Sequence, residues 1–155
     1  MTTKAQRKQR LLELADVIER IPDHQFNYDH WCATFNGDGE RTNAGMFVND
    51  LLGNIPLSEK HCNTAGCVAG WGAVLGLEAG FHPEHYMEMT VNEYAQEYLG
   101  LTSYESSEIF MGGALAACGF YEHDADWNND AIREAATTAE VAKMLRMIAE
   151  GEVEL

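Results

Sequence analysis

Cysteine and histidine are the residue types best suited to nucleophilic or metal chemistry, and this chain gathers both around one stretch. Cys62 and Cys67 stand in His61-Cys62-Asn63-Thr64-Ala65-Gly66-Cys67, and His82 and His85 follow. One chemistry for them is nucleophilic catalysis. A cysteine in the first turn of a helix has its thiolate stabilised by the helix dipole and by free backbone N–H groups, which also offer an oxyanion site. Cys67 has that place if a helix starts near Thr64, and Cys62 sits just before it. The other chemistry is zinc, since Cys62, Cys67, His82 and His85 have the composition of a two-cysteine, two-histidine site. A helix over 65–79 would carry its far end about 20 Å from Cys67 at 1.5 Å per residue, so these ligands converge only if it breaks. The row His123-Asp124-Ala125-Asp126-Trp127-Asn128-Asn129-Asp130 is acidic but lacks the glycine and closing glutamate of a calcium loop. No metal or other cofactor is expected. The simpler reading makes both cysteines buried apolar residues or a short-loop disulfide pair.

The element that must position these residues is a helix beginning near Thr64. The Thr64 hydroxyl can cap it, and from Cys62 to Leu77 there is no ionisable group except the thiols. Such a segment is expected to be buried. Gly66, Ala69, Gly70, Ala73, Gly76 and Gly80 recur at spacings of three and four and predict a nearly bare face for another helix. Val68, Trp71 and Leu75 make a bulky face beside it. Mid-helix glycine costs about 1 kcal/mol relative to alanine, so close packing is the compensation to look for. The run is shorter than the roughly 20 residues a bilayer span needs.

Around this centre, four capping boxes mark helix starts: Thr3 with Gln6, Thr90 with Glu93, Thr102 with Glu105, and Thr137 with Glu140. The first opens a helix over 4–21, with Leu11, Leu14, Ala15, Ile18 and Ile21 on one face up to Pro22. Gly100 ends the second, and Gly151 ends the last after the stripe Val141, Met144, Leu145 and Ile148. Leu99-Gly100-Leu101-Thr102 joins two short helices like a helix-turn-helix, but the second presents Tyr104, Glu105 and Glu108 where a DNA reader needs Arg, Lys, Asn or Gln. Residues 22–60 read as an irregular segment anchored by Phe26, Tyr28, Trp31 and Phe35, with a short helix from Ala44 to Leu52 that ends at Gly53. Ile109 to Tyr121 is a second uncharged, partly buried run. The fold class is therefore mainly α: residues 1–155 as one domain of about six helices around a Gly/Ala-rich central helix.

Charge is unevenly distributed. Residues 1–20 carry five basic and three acidic groups, while 21–155 carry five basic and twenty-two acidic, a net −17 within a total of −15. A field of that sign repels phosphate backbones and anionic membranes and favours a basic protein partner. Lys4, Arg7, Lys8 and Arg10 cluster on the first turns of the first helix, where the choice lies between a contact surface and a solvated helix end. They lead into an amphipathic pattern rather than a signal peptide, and the four cysteines lack the spacing of a disulfide framework, so a cytoplasmic setting is expected. Trp31, Trp71 and Trp127 allow a third functional reading, a pocket for a small ligand.

Two resemblances add to these readings. The stretch at Cys67 is similar to the nucleophile region of papain-like and bacteriocin-processing peptidases, where a cysteine begins a buried helix rich in small residues. The base in those families is a distant histidine, so the resemblance implies His123, which Asp124 follows, or His85 as its counterpart here. The chain as a whole resembles a family of small phage and bacterial proteins. Its outline runs through Leu14-Ala15, Ile21-Pro22 with Phe26 and Trp31, then Cys62, Thr64, Cys67 and Ala69-Gly70-Trp71. It continues with Leu99-Gly100-Leu101-Thr102, Phe110, Val141, Leu145, Gly151 and Val153. Cys62, Thr64, Cys67, Gly70 and Trp71 are its motif residues. Asn63 stands where that outline has glycine, and a long segment separates Trp31 from His61. The resemblance implies a helical accessory protein of a phage or mobile element, in the host cytoplasm, and implies no catalytic residue. The leading expectation is an acidic, non-catalytic interaction protein, with a cysteine hydrolase or transferase as the alternative.

Overall fold

The computed structural model describes residues 2–23, 26, 28, 33–35, 41–44, 47–54, 64–65, 67–121 and 129–155. The first helix, α1 (Lys4–Arg20), starts at the expected capping box: the Gln6 N–H donates to Thr3 Oγ1 at 3.2 Å and the Thr3 N–H to Gln6 Oε1 at 2.9 Å. It stops where Pro22 forces Ile21 into extended backbone. Leu11, Leu14, Ala15 and Ile18 are buried along one face, as their spacing predicts.

Residues 22–60 differ from the irregular reading. Strands β1 (Ala33–Phe35), β2 (Arg41–Ala44) and β3 (Thr64–Ala65) form a small antiparallel sheet in the order β2-β1-β3. Ala33 lies opposite both Ala44 and Ala65, and Thr34 opposite Thr64. Ala44 thus ends a strand, and the following helix, α2, runs Val48–Asn54. Thr64 is a strand residue rather than a cap, and Trp31, Cys32 and Cys62 lie outside the described residues.

The central helix, α3 (Val68–Glu78), begins four residues after Thr64, with Cys67 at its N-cap. Every residue of it except Leu75 and Glu78 is buried, as a helix without a polar face must be. Its close approach to α4 (Val91–Leu99) runs along Gly76, a member of the expected grid, and along Gly72, which is not; Gly66 lies outside the described residues. A Cβ at Gly76 would lie 2.8 Å from Tyr94 Cε1 and 3.0 Å from Tyr98 Cγ; one at Gly72 would lie 3.3 Å from Leu99 Cδ1. Gly80, also placed on that grid, has a different task. At φ +73° it closes α3, the Phe81 N–H reaching back to the Gly76 carbonyl at 2.9 Å and its own N–H to Leu77 at 3.1 Å.

After a 3-10 turn at Tyr86–Glu88, the remaining capping boxes appear where the sequence puts them, opening α4, α5 (Ser103–Phe110) and, at the chain's end, α8 (Thr138–Glu150). Short helices α6 (Gly113–Ala117) and α7 (Asn129–Ala135) lie between. Helix α1 packs along α8 and also against α3 and α4, so one apolar cluster runs from Leu11 to Ile148. Each fully buried Leu, Ile or Val in it contributes about 1.5–3 kcal/mol relative to exposure. The mainly helical architecture around a buried Gly/Ala-rich helix is the one expected. Among the described residues, no helix is long and apolar enough to cross a membrane.

Candidate functional site

Cys67 was the residue on which chemistry was most expected. It is a free thiol, 2% exposed, and therefore neither half of a disulfide with Cys62 nor open to solvent. It is also not in the first helical turn but at the cap, and its sulfur makes no capping hydrogen bond. Burial pushes the thiol up to about 11, against the opposing pull of the Gly70, Ala69 and Cys67 backbone N–H groups. Close by is the hydroxyl of Tyr28, buried and without a hydrogen-bond partner. Its acidity is reduced first by burial and further by Cys67 and Tyr121. Among the described residues, no base stands out beside this neutral thiol and phenol.

Of the two proposed bases, only His85 lies among the described residues. His123 lies outside the described residues. His85 follows the C-terminal end of α3 and Cys67 precedes its N-terminus, and eleven helical residues span about 16 Å. The His85 side chain is exposed, 3.6 Å from Glu84, on a residue with φ 58°. His82 stacks on Tyr86 with ring centroids 4.7 Å apart. An unbroken α3 thus separates Cys67 from both histidines of the zinc reading. Among the described residues, no three His, Cys, Asp or Glu side chains are grouped to hold a metal. Most of the acidic row from His123 and two of the three tryptophans lie outside the described residues; Trp71 is core, beside buried Gly70.

The electrostatics of the surface are more informative. Of the seven Lys and Arg side chains the structure describes, six are engaged within the molecule. Arg7 meets Glu105 at 2.5 Å and Lys8 meets Glu150 at 2.5 Å. Arg146 is held by Asp16 at 2.8 Å and by both oxygens of Glu19, at 3.0 and 2.7 Å, a forked pair that also holds Glu19 below the usual carboxylate range. Arg20 Nε donates to its own helix at Asp16 O, 2.8 Å away, and Lys143 lies over the Phe120 ring. Arg10 turns inward: its guanidinium covers the Tyr98 ring at 4.5 Å and the Phe81 ring at 5.3 Å, and donates to Tyr98 O and to Thr2 Oγ1. The basic cluster on α1 is therefore mostly a set of ties to α4, α5 and α8. Nothing in its sequence shows this, because the partners stand about ninety or more residues away.

Arg10 also lines an open groove of about 840 Å³ between α1, α4 and the 81–89 segment. Phe81 and Met89 line it, with the carboxylates of Glu88, Glu93 and Glu97. Glu93 is already occupied, accepting from the Thr90 N–H and hydroxyl at the head of α4, which keeps its carboxyl below the usual range. Glu88 and Glu97 are exposed. No protein-family model matches the chain, and neither the curated proteins nor the solved structures include a significant match.

Proposed function

We propose that this is a small acidic, non-catalytic interaction protein that binds a basic protein surface, acting as an inhibitor or nucleic-acid mimic in host takeover or defence evasion. The observation that carries it is the fate of the cations. Six of seven described Lys and Arg side chains are spent on internal contacts, whereas Glu84, Glu88, Glu97, Glu134, Glu152 and Glu154 are exposed. The outward field is thus dominated by carboxylates, as the net charge of −15 requires. Such a surface attracts and orients a cationic partner and turns away nucleic acid and anionic membranes. A buried, neutral Cys67 with no described base beside it gives no comparable support to a cysteine enzyme. The assignment to a phage or mobile element, and with it the host cytoplasm, rests on the sequence outline through Cys62, Thr64, Cys67, Gly70 and Trp71.

Competition tests this reading. A fluorescently labelled DNA duplex is loaded with a lysine-rich histone at low salt, and the protein is added in excess. The expected result is release of the DNA, seen as a fall in anisotropy. DNA that stays bound would contradict the reading.

A further inference from the structure

In the groove between α1, α4 and the 81–89 segment, the carboxylates of Glu88, Glu93 and Glu97 face one guanidinium, that of Arg10. Two of these four groups are already engaged. Arg10 donates to Tyr98 O and Thr2 Oγ1, and Glu93 accepts from the Thr90 N–H and hydroxyl. Glu88 and Glu97 are exposed, and among the described residues neither side chain has a hydrogen-bond or ion-pair partner. Phe81, Met89 and Leu101 give the same groove an apolar lining. Arg10 shows how that lining receives a cation, since its guanidinium lies over the Phe81 ring, 5.3 Å from the centroid.

We propose that this groove docks a basic segment of the partner protein, its Lys or Arg stems lying on Phe81, Met89 and Leu101 and its charged heads meeting Glu88 and Glu97. The proposal rests on the acidic-interaction reading and gives it a place. Charge complementarity selects this occupant. Lys and Arg carry an apolar stem and a cationic head on one side chain, which suits a groove that is apolar in part and anionic in part. A volume of about 840 Å³ takes several side chains rather than one ion. A metal ion needs its ligands closer together, and among the described residues no three His, Cys, Asp or Glu side chains are grouped to hold one. A second copy of the chain would bring Glu88 and Glu97 against their own kind, and an anionic lipid surface would meet the same repulsion. A neutral apolar segment would strip water from the carboxylates and return nothing for it.

The test is an NMR titration of the isotope-labelled protein at low salt with an end-capped tetralysine peptide, alongside spermine, which carries similar charge on a single thread. The expected result is shift changes centred on Phe81, Glu88, Met89 and Glu97. The double variant Glu88→Gln/Glu97→Gln should bind the peptide about tenfold more weakly, two ion pairs being lost. Glu134→Gln/Glu152→Gln removes the same charge from exposed positions that do not line the groove, and should weaken binding less than about twofold. All four positions are exposed, so unchanged circular dichroism is expected of both variants. Spermine should bind more weakly than the peptide, because only separate side chains can place stems and heads independently. Spermine binding as tightly as the peptide would mark a polyamine site and overturn the proposal. If the lysine-rich histone binds but the peptide does not, this groove is wrong and the acidic-interaction reading survives. The same conclusion follows if the peptide's shifts fall elsewhere or if the two double variants weaken it equally. If neither histone nor peptide binds, both are overturned.

Discussion

At the scale of the residue, Cys67 sets two effects against each other. Backbone N–H groups and the dipole at the head of α3 favour its thiolate, an effect typically worth 0.3–1 kcal/mol and at most about 2. Removal from water disfavours it and wins, lifting the thiol to about 11. The folded-state value lies above the roughly 8.5 of an unfolded cysteine. The stability that this shift represents is therefore complete below about pH 8.5 and is lost as pH rises towards 11. Native protein treated with iodoacetamide and analysed by mass spectrometry should show Cys67 unmodified at neutral pH, becoming reactive when urea unfolds the chain. Rapid labelling of Cys67 at pH 6 would show a stabilised thiolate and reopen the enzyme reading. The cap position makes a further distinction. Cys67 has extended backbone, φ −79° and ψ −177°, and its sulfur leaves the cap unfilled. Cys67→Ser should therefore be about 1 kcal/mol more stable than Cys67→Ala in urea unfolding, because a hydroxyl there can accept from the Ala69 or Gly70 N–H.

At the scale of the element, the contact between α3 and α4 explains why a buried helix tolerates its glycines. An alanine at Gly76 would gain about 1 kcal/mol of helix propensity but drive a methyl into the Tyr94 and Tyr98 rings. Tyr94 cannot move aside freely, since its hydroxyl donates to Phe81 O at 2.5 Å. Gly76→Ala should thus lose about 1–3 kcal/mol in denaturant unfolding, whereas Gly72→Ala, which meets the end of a Leu99 side chain, should be near neutral. Equal effects would contradict the packing account. The same contrast shows what was legible. Four capping boxes and the stops at Gly100 and Gly151 are local chemistry, written within a few residues, and each was found in place. The sheet was not legible, because Ala33 finds partners at Ala44 and Ala65 through pairings that no short window contains. Thr64 misled for that reason: a good capping residue was claimed by a strand. The small-residue grid marked α3 correctly as buried and included Gly76, the closest approach to α4, but it left out Gly72, whose place against Leu99 only the packed partner reveals.

At the scale of the whole molecule, charge is the property that reaches beyond individual contacts. The sequence made the acidic excess plain, but a count cannot tell which cations face outward. The folded chain turns Arg7, Lys8, Arg10 and Arg146 to its own carboxylates, carbonyl and rings. The exposed pairs among these add little to stability, on the order of 0–1 kcal/mol each, and each cancels a cation together with its carboxylate, so the net −15 is left on carboxylates that have no cation beside them. The exposure of Leu52, Met87, Tyr104 and Met111 was illegible for a related reason: an apolar residue in sequence reads as core until the fold leaves it outside. The account's central claim is that complementary charge drives association with a basic protein. Its most direct test is the affinity for the lysine-rich histone as salt is raised, because the screening length falls from about 10 Å at 0.1 M to about 3 Å at 1 M. The account predicts tight binding at low salt that weakens steadily as salt rises. Binding that is absent at low salt, or that persists unchanged to 1 M, would contradict it.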